Sequence, residues 1–103
     1  MTIFLDSAII SEAQAVAQFG WVGGITTNPV LLAKSDLAPE ETLRKLAFLT
    51  SGPVFYQLTA TTVTTMISEA ERAKDILGSQ LVLKIPPTAA GFTATTELSS
   101  SIP

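Results

Sequence analysis

Lys84 is the residue in this chain whose surroundings suggest chemistry most strongly. It lies within residues 80–88, with Leu83 before it and Ile85 after it. Lysine is rarely fully buried unless it has a partner or a role. Burial disfavours the ammonium form, so a buried lysine can be a free amine that attacks a carbonyl group and forms a Schiff base. The alternative is a lysine on an edge strand whose side chain reaches solvent.

Polar residues also occur near the ends of three other short apolar runs. Asp6 ends the first run, Thr26 and Asn28 close the second, and Gln57 lies near the end of the third. In parallel α/β proteins the carboxyl ends of the strands carry the active site. We therefore expect these side chains to converge with Lys84 on one pocket. Each also has an ordinary structural alternative, because short polar side chains often satisfy turns and backbone groups.

The apolar runs alternate with helical patterns, which predicts the order β-α-β-α-β-α-β-α. The predicted strands cover residues 2–6, 22–27, 53–58 and 81–85. The predicted helices are one over 11–19 with a capping box at Ser11, one begun by Pro39, one capped by Thr61 or Thr62 and ended by Gly78, and one from Thr88 to Leu98 that contains Gly91. This alternation predicts a single α/β domain over residues 1–103, with parallel strands in the order 1-2-3-4 and helices on the outer face.

Composition limits the chemistry and the partners. The 103 residues include no cysteine and no histidine, so proton transfer must use Asp, Glu, Lys, Tyr56 or water. The net charge is −3 with six basic residues, which argues against nucleic acid and anionic membranes as partners. No apolar run approaches the ~20 residues of a membrane span, and a cytoplasmic location is expected. A mean hydropathy of +0.42 indicates buried strands, an oligomer interface, or both.

Three segments together resemble the transaldolase family. They are Phe4-Leu5-Asp6, the Gly-Ile-Thr-Thr-Asn-Pro of residues 24–29, and the Leu-Lys-Ile-Pro of residues 83–86 followed by Thr88. The similarity covers essentially the whole chain and is closest to the small-subunit branch that includes fructose-6-phosphate aldolase. It implies a class I enzyme that forms a lysine Schiff base in a (β/α)₈ barrel, acts on sugar phosphates such as fructose 6-phosphate, and needs no metal or organic cofactor.

The resemblance also implies a role for each candidate residue. Lys84 would form the Schiff base, and Asp6 would assist proton transfer and hold a substrate hydroxyl. Thr26 and Asn28 would contact substrate hydroxyls or orient their neighbours. Gln57 occupies the position where transaldolases carry glutamate and fructose-6-phosphate aldolases carry glutamine. It favours aldol cleavage and addition over transfer of a dihydroxyacetone unit.

The chain is short for this fold. A (β/α)₈ barrel takes ~250 residues, whereas four βα units make half a barrel, so we expect the N-terminal half. One face of the sheet, with Phe4, Ile25, Phe55 and Val82, would then be open to water. We expect homo-oligomerisation or association with the other barrel half to cover it. The alternative function is a catalytically inactive half-barrel or oligomerising module in which the lysine is vestigial. A flavodoxin-like domain fits less well, because no glycine-rich loop follows the first strand.

Overall fold

In the computed structural model, residues 3–99 are described and contain one four-stranded sheet. The strands are β1 (Ile3–Asp6), β2 (Val22–Thr26), β3 (Val54–Gln57) and β4 (Leu81–Lys84). They are ordered β1-β2-β3-β4, and each neighbouring pair is parallel. The predicted order is confirmed. Each connection between parallel neighbours runs through helix, as a crossover between parallel strands requires.

Helices follow each strand. They are α1 (Ile10–Ala17), α2 (Pro29–Ala33), α3 (Pro39–Leu49), α4 (Val63–Leu77) and α5 (Ala89–Leu98), and a 3₁₀ turn covers Gly78–Gln80. The Thr62 and Thr88 side chains cap α4 and α5 by accepting backbone N–H groups of the first turn. Pro39 opens α3 and Gly78 ends α4 with a positive φ of 58°. These boundaries confirm the predictions from capping residues.

One local prediction of a helix start was wrong, and one short helix was not predicted. The predicted capping box at Ser11 is not formed, because α1 begins at Ile10 and Ser11 lies inside it. Ser7 organises this turn instead: its hydroxyl donates to the Glu12 carboxylate at 2.6 Å and accepts the Ile9 N–H at 3.1 Å. Helix α2 was not predicted, because five residues are too few to show a helical period.

The sheet has one face covered by helices and one open face. Side chains alternate along each strand, so Leu5, Ile25 and Val54 lie on the covered face. Ile25 is 1% exposed and Val54 is 0% exposed. The prediction that Ile25 lies on the open face is therefore wrong. The register pairs Phe4 with Gly24 and Phe55 with Thr26, so those residues share the open face.

Aromatic side chains remain accessible on the open face. Phe4 is 40% exposed, and its ring lies 5.5 Å from the ring of Phe55 between centroids. Strands β1 and β4 form the edges of the sheet in the described residues. Such edges offer unpaired backbone groups to another strand.

The core lies between the covered face and the helices. Its largest members include Ile25, Leu46, Val54, Leu58 and Met66, all essentially inaccessible to solvent. Helix α5 packs closely against the loop after β4, because a Cβ atom at Gly91 would lie 2.0 Å from the carbonyl oxygen of Pro86. This contact explains a glycine within the helix. None of the helices in residues 3–99 is long and apolar enough to cross a membrane.

Candidate active site

All four strands end in a polar residue. The last residues of β1, β2, β3 and β4 are Asp6, Thr26, Gln57 and Lys84. The strand register pairs Asp6 with Thr26 and Gln57 with Lys84. Thr26 also pairs with Phe55, which shares a face with Gln57 through the strand alternation. The four polar residues therefore lie on the open face, at the carboxyl ends of adjacent strands.

Asp6 and Thr26 are in direct contact. The Thr26 hydroxyl donates to Oδ1 of Asp6 at 2.7 Å. Asp6 is exposed and Thr26 is half-buried. A carboxylate at such a position accepts hydrogen bonds and can exchange protons with a neighbouring group. Asp6 is the one carboxylate among these four residues, and the Thr26 hydroxyl orients it.

Lys84 lies beside Gln57 but is not buried. The two residues are register partners, and the carbonyl oxygen of Lys84 accepts the Leu58 N–H at 3.0 Å. Lys84 is exposed in this chain. The expectation that its amine is buried is therefore wrong for the chain by itself. The apolar residues around it explain the difference: Leu81 and Leu83 face the helices, whereas Lys84 faces the open side.

The three residues of the Thr-Thr-Asn segment contact three different parts of the chain. Thr26 contacts Asp6, whereas Thr27 is fully buried and its hydroxyl donates to the carbonyl oxygen of Phe55 at 2.7 Å. Asn28 caps α2, since its Oδ1 accepts the Leu31 N–H at 2.9 Å. Thr27 thus joins β2 to β3, a structural role that the sequence analysis missed. Asn28 lies beyond the end of β2 and not within the strand.

A cavity of about 680 Å³ lies at the ends of β3 and β4. Gln57 is the one predicted site residue that lines it. The other lining residues are Pro29, Leu58, Thr59, Ala60, Thr61, Met66, Pro86, Thr88, Ala89 and Ala90. The cavity is bounded mainly by the loops after β3 and β4, so these loops shape the space next to Gln57.

Glu69 of α4 collects four hydrogen bonds on the covered side of the sheet. Its carboxylate accepts from the Tyr56 hydroxyl at 2.5 Å, from the Thr59 N–H and hydroxyl, each at 2.9 Å, and from the Ala60 N–H at 3.0 Å. Burial alone would raise the pKa of Glu69, but these hydrogen bonds outweigh burial and hold the pKa below its usual value. The sequence analysis did not identify Glu69.

Tyr56 points away from the open face, as the strand alternation predicts. Burial raises the pKa of Tyr56 far above its usual value, and the hydrogen bond and charge of Glu69 raise it further. Tyr56 also lines a second cavity, of about 580 Å³, between α3 and α4. Arg72 and Glu40 form an ion pair beside this cavity. The Tyr56 side chain therefore faces the helical layer and does not lie with the polar residues on the open face.

No cluster of three or more His, Cys, Asp and Glu side chains suited to holding a metal ion occurs in the described part of the chain. The polar residues at the strand ends instead offer an amine, a carboxylate, a hydroxyl and an amide. This set can bind and polarise a hydroxylated carbonyl compound by covalent attachment and hydrogen bonding.

A parallel sheet with sequential strand order, helices on one face and polar residues at the strand ends has the arrangement of part of a parallel α/β barrel. The family model described as transaldolase/fructose-6-phosphate aldolase matches residues 3–101. The chain belongs to this family, whose fold is the (β/α)₈ barrel. Its four βα units correspond to about half of such a barrel.

Curated relatives are similar over nearly the whole chain. A probable transaldolase of Coprothermobacter proteolyticus is 35% identical over 99 residues, which cover 96% of this chain and 45% of that protein. A probable transaldolase of Heliobacterium modesticaldum is 38% identical over 98 residues, covering 95% and 45%. One of Desulfotalea psychrophila is 33% identical over 101 residues, covering 98% and 47%. The chain spans about half the length of the curated relatives it matches.

Proposed function

We propose that this chain provides the Schiff-base half of a class I aldolase of the transaldolase type. The substrate would be a sugar phosphate such as fructose 6-phosphate. The observation that carries the proposal is the placement of Lys84 with Asp6, Thr26 and Gln57 at four adjacent strand ends on one face. Family membership supports the same class of reaction.

Lys84 acts as the nucleophile in this proposal. Its neutral amine attacks the substrate ketone, and loss of water gives an imine. The protonated nitrogen of this imine draws electrons from the bond between the α and β carbons of the substrate. That bond breaks as the β-hydroxyl loses its proton, which releases an aldehyde and leaves an enamine. Protonation of the enamine and hydrolysis then release dihydroxyacetone and restore the amine.

Asp6 is the proposed proton carrier for these steps. It is held by Thr26 at the same end of the sheet as Lys84. Gln57 can donate and accept hydrogen bonds but cannot take up a proton, so its proposed role is to bind a substrate hydroxyl. Glutamine at this position supports aldol cleavage over transfer. Asn28 is proposed to contact substrate through its amide group while its Oδ1 caps α2.

The open face requires a cover for this chemistry. A cover would exclude bulk water from the imine and from the groups that exchange protons with it. We propose that a second copy of the chain, or a complementary barrel half, packs on this face and pairs with the edges of β1 and β4. A cytoplasmic location stays a prediction.

The exposure of Lys84 favours one second candidate function. A lysine that reaches solvent from an edge strand has no environment that would make it reactive. The chain would then be an inactive half-barrel module whose lysine is vestigial. This alternative shares the fold and predicts no turnover.

Aldol cleavage of fructose 6-phosphate distinguishes the two candidates. The unaltered chain should release dihydroxyacetone, and Lys84→Ala should reduce the rate to that of buffer. Lys45→Ala is the matched control, since Lys45 is an exposed lysine on α3. It should retain full activity. A chain that is folded and self-associated, so that the open face is covered, yet shows no cleavage activity would contradict the aldolase proposal and favour the inactive module.

A further inference from the structure

We infer that Glu69 is a positioning residue that holds, from the helical layer, one wall of the cavity next to Gln57. The inference rests on the proposed function, in which Gln57 at the end of β3 binds substrate. Glu69 is not on the open face and does not touch the proposed substrate site. It acts through the loop that joins β3 to α4.

The contacts of Glu69 hold this loop directly. Three of its four hydrogen bonds come from Thr59 and Ala60, the second and third residues after Gln57. Two of these donors are backbone N–H groups, so the carboxylate restrains the course of the main chain itself. Hydrogen bonds to an ionised carboxylate are stronger than those between neutral groups. A single side chain of α4 therefore holds the loop through two backbone groups and one hydroxyl.

The restraint reaches both sides of Gln57. Tyr56 precedes Gln57 on β3 and donates its hydroxyl to the same carboxylate. Thr59 follows Gln57 after the buried Leu58. Glu69 thus contacts the chain before and after the residue proposed to bind substrate. Because Gln57 points the opposite way from Tyr56, the restraint sets where its amide group emerges on the open face.

The same residues shape the cavity. Thr59 and Ala60 line the cavity of about 680 Å³ together with Gln57. Release of their N–H groups would allow this wall to move relative to Gln57. We expect the movement to weaken substrate binding while leaving the nucleophile Lys84 unchanged, because Lys84 is on β4 and has no contact with Glu69 among the hydrogen bonds of the described residues.

Glu69→Gln in the full chain tests the inference. Glutamine keeps the size of the side chain but replaces one acceptor oxygen with an NH₂ group that cannot accept. Glu71→Gln is the matched control, an identical change at an exposed position of the same helix. Two readouts are compared: hydrogen exchange of the Thr59 and Ala60 amides, and borohydride trapping of fructose 6-phosphate on Lys84 as a function of substrate concentration.

In Glu69→Gln, exchange of the two loop amides should accelerate about tenfold, as expected from loss of a charge-assisted hydrogen bond. The half-saturating substrate concentration should rise several-fold, with the limiting extent of trapping unchanged. Glu71→Gln should match the unaltered chain in both. Accelerated exchange without a change in half-saturation would overturn the positioning role, and so would identical behaviour of the two variants.

A second variant covers the case in which Glu69→Gln does not fold. Tyr56→Phe removes one of the four donors and leaves the loop contacts in place. It should raise the half-saturating substrate concentration relative to the unaltered chain, and no rise would overturn the inference. Absence of trapping in the unaltered, self-associated chain would instead reject the proposed function, and the positioning role with it. Hydrogen exchange of the Thr59 and Ala60 amides does not depend on catalysis, so it shows separately whether Glu69 restrains the loop.

Discussion

The hydroxyl of Thr26 donates a 2.7 Å hydrogen bond to Oδ1 of Asp6, which joins the last residues of β1 and β2 on the open face. Asp6 is exposed, so burial does not orient its carboxylate. Among the described residues, the Thr26 hydroxyl is therefore the group that holds the Asp6 carboxylate at the strand ends. This pair and the Gln57–Lys84 register pair lie together at the carboxyl ends of the four strands.

Thr26→Val should remove this hydrogen bond while keeping the shape and strand propensity of the side chain. We expect the free energy of unfolding to fall by about 0.5–1.5 kcal/mol, the usual net value of one hydrogen bond. Urea denaturation measures the change. In an Asp6→Ala background the same substitution should have almost no effect. An equal loss in both backgrounds would show that the two residues are not coupled.

Gly91→Ala should destabilise the protein even though alanine is the better helix former. The added Cβ would lie 2.0 Å from the Pro86 carbonyl oxygen, so α5 or the loop after β4 must move. We expect a loss of about 1–3 kcal/mol in the free energy of unfolding, typical of overpacking. Thr93→Ala, at an exposed position of α5, is the control and should be close to neutral. A more stable Gly91→Ala variant would contradict the packing described here.

Tyr56 allows a direct test of the Glu69 contact, because it is the one tyrosine in the chain. Burial and the Glu69 carboxylate raise its pKa, so the folded state holds the phenolic proton more tightly than the unfolded state. The resulting stability is present below the unfolded pKa and is lost as pH rises toward the folded pKa. Tyrosinate absorbance should therefore appear at a higher pH in the native chain than in urea. Glu69→Gln should lower the native midpoint, and an unchanged midpoint would contradict the contact.

The open face predicts self-association. Phe4 is 40% exposed beside Phe55, and fully burying a large apolar side chain is worth about 1.5–3 kcal/mol. In sedimentation the average mass should rise above 10.8 kDa with increasing concentration. Phe4→Lys should shift the equilibrium toward monomer. The control, Phe48→Lys, changes a phenylalanine that is 92% exposed on α3. A sharp monomer peak at micromolar concentration, with cooperative thermal unfolding, would show that the face needs no cover.

The strand order and most helix starts were predictable from local signals. Pro39, Thr62 and Thr88 mark helix starts because proline and threonine suit the first positions of a helix. One polar residue near the end of each apolar run was likewise visible in the sequence. Because the carboxyl ends of parallel strands lie at the same end of the sheet, these residues could be predicted to lie together. Family motifs strengthened the same prediction.

Contacts between distant elements were not predictable in this way. The apolar neighbours of Lys84 suggested burial, but they face the helices, and no local pattern specifies what covers the opposite face. Glu69 joins α4 to residues 9 to 13 positions earlier in the chain. A single glutamate on an amphipathic helix looks like any other solvated charge, so its role emerges only when the helix packs beside β3.

Trapping of a substrate on Lys84 is the sharpest test of whether this residue forms a Schiff base. The chain, at a concentration where sedimentation shows it to be self-associated, is incubated with dihydroxyacetone or fructose 6-phosphate. It is then reduced with borohydride, digested and analysed by mass spectrometry. We expect a reduced adduct on the peptide that contains Lys84, with none on the exposed Lys45 of α3. We also expect loss of the adduct in Lys84→Ala. A Lys84 peptide without an adduct, or one labelled no more than the Lys45 peptide, would contradict the assignment of Lys84 as the Schiff-base lysine.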